Sequence, residues 1–288
     1  MESVRALLLA LALVPAVASP AADSRAQGEA ALRAGRAEEA AGHLERAVAR
    51  APNDAEAHYL LAQSYGAQAG AGGMITKMRL AGKVRDHFER AAALAPEEVR
   101  YREALLEFYV QAPSAMGGGA DKARAQAAEI AKRDRARGLL AAGRIAQHEG
   151  DAGAALANYR QAAAERPEDA RIALRLVIYL QEQKRWPEAF ERLDALLARD
   201  PAAGAAWYQL GRTAVLANTR HADGERAFRR FLSLPRAEGD PPPEAAHWRL
   251  GMLYEQMGRK AEAKAEYQRA LQANPEHKES KAALRKLG

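Results

Sequence analysis

From Met74 onward, apolar positions recur at steps of three and four: Met74, Met78, Ala81, Val84, Phe88 and Ala91. That spacing lines one face of a helix. It predicts a continuous helix that begins at Met74 or Ile75 and runs to about Leu94. Gly82 inside it costs about 1 kcal/mol relative to alanine. A longer period organises the rest of the chain. Pro167, Pro201 and Pro235 recur at a step of 34, as do Gly143, Val177 and Gly211. Ala155, Ala189 and Asp223 keep the same step, with Gly224 a candidate one-residue displacement of the last. Each period holds two helical stretches separated by a short polar turn. Small residues recur where two helices must cross closely, and proline recurs where the second helix must stop.

The residues at these positions resemble the tetratricopeptide-repeat (TPR) signature, in which an aromatic, Leu-Gly or Leu-Ala and a second aromatic mark helix A, and Ala-x3-aromatic and Pro mark helix B. Trp207, Leu210 and Gly211 match its opening. Leu250, Gly251, Tyr254, Ala263, Tyr267, Ala270 and Pro275 match it along a whole unit. Gly28, Ala40, Leu44, Ala47 and Pro52 fit a first unit. Leu139, Gly143, Ala155, Tyr159, Ala162 and Pro167 fit a fourth, and Ala189, Leu193, Leu196 and Pro201 a fifth. The resemblance covers residues 23 to 288 and implies an all-α fold: a right-handed α-solenoid of about seven TPR helical hairpins with a C-terminal capping helix. The implied repeats are 21–54, 55–98, 99–135, 136–169, 170–203, 204–243 and 244–277, with a cap at 276–287. One hairpin cannot bury its apolar stripe alone, but a stack can, and a terminal cap must turn its polar side to water. Ala282, Ala283, Leu284 and Leu287 supply the cap's apolar side.

Three units depart from the pattern. In the second, the interval from Ala62 to Pro96 is ten positions longer than the matching interval from Gly143 to Pro167, so ten residues are inserted around Ala69 to Met78. The third has an overlong link, Gln111 to Asp121, carrying Pro113 and Gly117-Gly118-Gly119. The glycine run reads as a flexible extended turn, and this link is a candidate cover for the Met-bearing face of the long helix. The sixth ends in a proline-rich loop, Leu234 to Pro243.

The N-terminus has its own pattern: a short start containing Arg5, an apolar run Ala6 to Val14, a break at Pro15, then Ala16-Val17-Ala18. It reads as a secretory signal peptide, residues 1–18, cut after Ala18. The expected mature protein, 19–288, is periplasmic or secreted and carries no transmembrane segment. The form of the signal, with the alanine- and arginine-rich composition, points to a bacterial source. About a quarter of the residues are alanine and 6% are aromatic, which suits closely approaching helices rather than one large core. The 43 basic and 37 acidic residues are interspersed, for a net charge of +6. That favours acidic partners without indicating nucleic acid. The absence of cysteine excludes disulfides, thiol catalysis and cysteine–zinc sites.

Candidate chemistry is sparse. The seven histidines never pair at i, i+4, and His148-Glu149 lacks the second histidine of a zinc-protease motif. There is no Gly-x-Ser-x-Gly elbow. The glycine run before Asp121-Lys122 lacks phosphate-loop spacing, and no strand precedes it. The expectation is therefore a non-catalytic scaffold with no cofactor and no metal, its partner a protein or peptide of acidic character. A binder of an anionic envelope polymer or nucleic acid, and an enzyme built on a TPR scaffold, are the competing readings. Oligomeric state is open. The resemblance also implies where a ligand would lie, since TPR contacts come from positions 2, 5, 9 and 12 of each helix A. Carried over by register, these are Arg137, Leu140, Arg144 and Gln147 in the fourth repeat, and Arg171, Leu174 and Ile178 in the fifth. Tyr208 and Arg212 follow in the sixth, and Trp248 and Met252 in the seventh. Earlier units place Tyr59, Gln63, Arg100, Glu103 and Glu107 there. The asparagines of a two-carboxylate clamp are missing from these positions.

Overall fold

The computed structural model describes residues 19–237 and 239–288; the expected leader, 1–18, lies outside them. Among the described residues there are fifteen α-helices, one short 3-10 turn and no strand. None of these helices is long and apolar enough to cross a membrane. The chain forms two compact units that divide inside one helix, at Glu129 and Ile130. The N-terminal unit contains α1 (Pro20–Arg33), α2 (Ala37–Arg50), α3 (Ala55–Ala71), α4 (Met74–Leu94), α5 (Val99–Gln111) and the start of α6 (Ala120–Arg133). The C-terminal unit contains α7 (Arg135–Glu149), α8 (Ala152–Glu165), α9 (Ala170–Glu182), α10 (Trp186–Arg199) and α11 (Gly204–Ala217). It continues with α12 (His221–Ser233), α13 (Pro243–Gln256), α14 (Lys260–Ala273) and α15 (Lys278–Leu287).

Local chemistry sets the helix ends. Asp54, Asp134, Asp151 and Asp169 accept hydrogen bonds from the free N–H groups at the starts of α3, α7, α8 and α9. Helices α2, α4, α8, α10, α12 and α14 each end two residues before a proline: Pro52, Pro96, Pro167, Pro201, Pro235 and Pro275. The residue before proline is steered out of the helical region, so the stop is built into the sequence. The turn from helix A to helix B needs a left-handed residue. Gly150, Lys184 and Asn218 fill it in successive repeats, with φ of 80°, 55° and 48°. The first and third are residues that tolerate this region, whereas Lys184 is forced into it by the repeat.

The helices of a hairpin cross at one recurring contact. Gly28 faces Leu44, Gly143 faces Tyr159 and Gly251 faces Tyr267, all at the same separation along the chain. In the sixth repeat Gly211 faces Phe228, one position beyond that separation, so the one-residue displacement is present. The extra residue is absorbed in the α11–α12 turn, where both Asn218 and Arg220 are left-handed. In each case a buried side chain lies flat on bare backbone, so a Cβ at the glycine would come within 2.5–2.9 Å of it.

Both insertions take definite form. Helix α4 spans Met74–Leu94, as the periodicity predicted. The ten inserted residues are shared: α3 has 17 residues and α4 has 21, against 14 in each of α1 and α2. In the third repeat the link folds into a 3-10 turn, Ser114–Met116. The glycine run is a closely packed turn rather than a loose one. Gly117 and Gly119 have φ of +92° and +149°, and a Cβ on Gly118 would sit 1.8 Å from the Ala112 carbonyl oxygen. The link does not cover the start of α4: Met74, Ile75 and Met78 remain 64%, 84% and 63% exposed. It reaches α4 only further along, where Pro113 and Met116 border a cleft with Ala81, Val84 and Phe88.

In the C-terminal unit the largest core cluster runs from Val177 to Tyr267 and gathers side chains of α9 to α14. Ala283, Leu284 and Leu287 of α15 pack against it and close the stack. Ala282, expected on the same side, is exposed, and the buried face of α15 instead includes Ser280. The hydroxyl and N–H of Ser280 both engage His277 Nδ1, at 2.9 and 3.3 Å, so a small polar residue serves there.

Candidate functional site

Helix α11 packs against both α9 and α13, so the A helices of the C-terminal unit form a wall on which distant residues become neighbours. The first rung joins α7 to α9. Gln147 accepts from the buried Tyr159 hydroxyl at 2.8 Å and donates to Glu182 at 2.5 Å. The next joins α9 to α11. The Gln181 amide, 3% exposed, donates to Thr213 Oγ1 at 2.8 Å and to Gln209 Oε1 at 3.2 Å, and accepts from Arg212. The last joins α11 to α13: Arg249 Nε donates to the Tyr208 hydroxyl at 2.9 Å, and Gln256 donates to the Val215 carbonyl at 2.9 Å. This polar ladder fixes the register of the wall, since an unpaired buried amide would cost about 1–3 kcal/mol.

The register positions fall unevenly on this wall. Arg137 is tied to the start of α7: its backbone N–H donates to Asp134, and its guanidinium lies 3.7 Å from the same carboxylate. Leu140 and Leu174 are half-buried against core clusters, and Ile178 is half-buried beside them in α9. Burial pushes the Tyr159 phenol up, and the nearby charges of Arg175 and Arg144 oppose that push. Arg171 projects into solvent with only a loose contact to Asp169, at 3.8 Å. Met252 is half-buried. Tyr208 is not an open anchor. It is 6% exposed because its ring leans into the hairpin against Phe228 and Phe231, at centroid distances of 6.0 and 5.4 Å. Trp248 is half-buried, with the Arg249 guanidinium 4.9 Å over its ring and His277 at 5.8 Å.

Arg212 and Arg249 stand out. Burial holds Arg212 below the usual arginine range, and the charge of Arg249 pushes the same way. Arginine stays protonated regardless; burial and the neighbouring Arg249 outweigh the opposing pull of Tyr208 and of the more distant Glu182 carboxylate. Among the described residues no carboxylate lies within ion-pair distance of either. Arginines at the turns are neutralised instead. Arg220 pairs with Asp194 and Asp223 at 2.8 and 2.6 Å, and Arg259 with Glu225 at 2.7 Å. Sequence register missed Gln181 although it stands one repeat step after Gln147. It also missed Arg249, which is one residue off the expected position and gains its place by stacking on Trp248.

Outside the wall, the structure joins two histidines that lie far apart in the sequence. His58 Nδ1 and His87 Nδ1 are 2.8 Å apart between α3 and α4, and the Pro52 carbonyl lies 3.0 Å from His58 Nε2. Among the described residues no group of three or more His, Asp or Glu side chains could hold a metal ion.

Tetratricopeptide-repeat family models match residues 25–71, 146–212 and 244–277. Among curated proteins none matches. Of the solved structures, a tetratricopeptide repeat protein from Parabacteroides merdae aligns with a TM-score of 0.54 at 12% identity, over 94% of this chain and 99% of that one. The human IFIT1 dimer with m7Gppp-AAAA aligns with a TM-score of 0.61 at 17% identity, over 94% of this chain and 63% of that one. At these identities both likenesses show the fold alone.

Proposed function

Because the chain is a tetratricopeptide-repeat protein, we propose that it is a non-catalytic scaffold holding an acidic protein segment on the A-helix wall of its last four repeats. The observation that carries this reading is the pair Arg212 and Arg249. They flank Tyr208, repel one another and have no carboxylate in ion-pair contact among the described residues. Packing does not require two cations there, and an incoming carboxylate would relieve their repulsion and accept bidentate hydrogen bonds. Gln181 and Gln209 hold Arg212 in place, so little side-chain entropy remains to be lost on binding. Trp248 beside them offers a rigid apolar face. Export is part of the same proposal: the charged start, apolar run and Ala16-Val17-Ala18 support action in the periplasm or cell envelope.

The test is selection of peptides from a random library on the full chain, followed by affinity measurement with R212Q/R249Q and W248A. Selected peptides should be rich in Asp and Glu. Each variant should weaken them roughly tenfold, on the order of 1.4 kcal/mol, while keeping its helical spectrum. Unchanged affinity in both folded variants would refute the wall as the site. Binding that responds steeply to salt but is indifferent to W248A would instead fit an anionic polymer.

A further inference from the structure

The N-terminal unit carries a second surface that the arginine wall does not explain. Helix α4 keeps one apolar stripe along its length, but only part of it is covered. Ala81, Val84 and Phe88 are buried, whereas Met74, Ile75 and Met78, one to two turns earlier, are the most exposed large apolar side chains of the described chain. The stripe runs into a cleft of about 500 Å³ walled by Val84, Phe88, Phe108, Ala112, Pro113 and Met116. Both insertions of the repeat pattern thus border one apolar channel. A stripe at steps of three and four is the complement of the ridges of another helix.

The charge at the exposed start of the stripe has one sign. Between Glu56 and Asp86 there is no acidic residue, while Lys77, Arg79, Lys83 and Arg85 are all basic. Lys77, Arg79 and Lys83 are exposed, and Lys77 and Arg79 have no ion-pair partner among the described residues. Glu107 is the acidic residue on the cleft wall, and it is engaged by Gln111 of its own helix. We propose that this channel docks an amphipathic helix with an acidic polar face, supplied by a partner protein. Its apolar side would cover Met74, Ile75 and Met78 and enter the cleft, and its carboxylates would meet Lys77 and Arg79. A second copy of this chain fits poorly, because a two-fold contact would set the same cationic patch against itself. A planar lipid surface reaches the projecting Met74 and Ile75 but leaves the concave cleft empty.

The experiment uses the full chain carrying R212Q/R249Q, so that the arginine wall does not contribute. The probes are a synthetic helix of about 18 residues, or five turns, with leucine on one face and glutamate on the other, its lysine-faced twin, and anionic phosphatidylglycerol vesicles. The expected result is binding of the glutamate-faced helix at least about tenfold tighter than the lysine-faced twin. That binding should be lost in I75E/M78E and reversed in preference by K77E/R79E. These side chains are exposed, so the variants should keep the parent's helical spectrum. Equal binding of both helices, or affinity unchanged by I75E/M78E, would overturn the proposal. So would vesicle binding without peptide binding, displacement of the probe by a peptide of residues 2–18, or a dimer that I75E/M78E converts to monomer without the probe.

Discussion

Replacing Gly251 by alanine tests the hairpin contact most directly. Gly251 lies in α13, where alanine is favoured over glycine by about 1 kcal/mol on helix propensity alone. The added methyl would sit 2.5, 2.7 and 2.9 Å from Cε1, Cδ1 and Cζ of Tyr267. Carbon atoms in contact prefer about 3.5–4.0 Å, so ring and methyl overlap by roughly 1 Å. Tyr267 is 1% exposed and has no room to tilt, so α13 and α14 must part. Overpacking of this kind costs about 1–3 kcal/mol, and a rigid neighbour places it at the upper end. The net expectation is a loss of about 2 kcal/mol. Gly82 is the control: it is helical, and beyond its own stretch of helix backbone no atom lies within 4 Å of the place its Cβ would take. Gly82→Ala should therefore stabilise by about 1 kcal/mol. Repeat proteins need not melt in one step, so the readout is amide exchange across α13 and α14 for Gly251 and across α3 and α4 for Gly82. Urea melts followed by far-UV circular dichroism would accompany it. Adding Tyr267→Leu to Gly251→Ala should recover part of the loss. A neutral or stabilising Gly251→Ala would refute the close-approach argument.

Four further expectations follow from other contacts. Burial lowers the pKa of both His58 and His87 from the ordinary 6.5, and the charge of His58 adds to the effect on His87. The folded state therefore binds fewer protons than the unfolded one as pH falls below that value, so repeat two should keep full stability above it and lose stability beneath. Amide exchange in α3 and α4 against pH would show this, and His87→Gln should flatten the profile. Gly118→Ala drives a methyl onto the Ala112 carbonyl and should destabilise the third-repeat link by about 2 kcal/mol or more, on the order of an overpacked core site; unchanged proteolysis of the link would contradict it. Gln181→Ala strips partners from Thr213 and Arg212 and should cost about 1–3 kcal/mol in thermal or urea melts. Intact-mass measurement on envelope-fraction protein should give a chain beginning at Ser19, and retention of Met1–Ala18 on a cytosolic product would refute export.

The sequence by itself determined the elements. Proline at the repeat step stops the B helices, glycine marks the crossings, and the stripe from Met74 to Ala91 sets the unusual length of α4. These are local signals, because backbone dihedrals and apolar periodicity are written within a few residues of where they act. The groove register likewise picked out Gln147 and Arg212, which hydrogen-bond across neighbouring A helices. Tertiary structure decided what those side chains do there. Tyr208 turns into the core because Phe228 and Phe231 receive its ring, and Arg249 reaches the wall because Trp248 and Tyr208 hold its guanidinium. His58 meets His87 only when α3 and α4 fold back on each other. The same is true of Met74, Ile75 and Met78. Their spacing foretold a helix, but whether that face is covered depends on where the third-repeat link settles, and it settles against Ala81, Val84 and Phe88 instead. Contacts between residues far apart in the chain depend on packing, which no local pattern encodes.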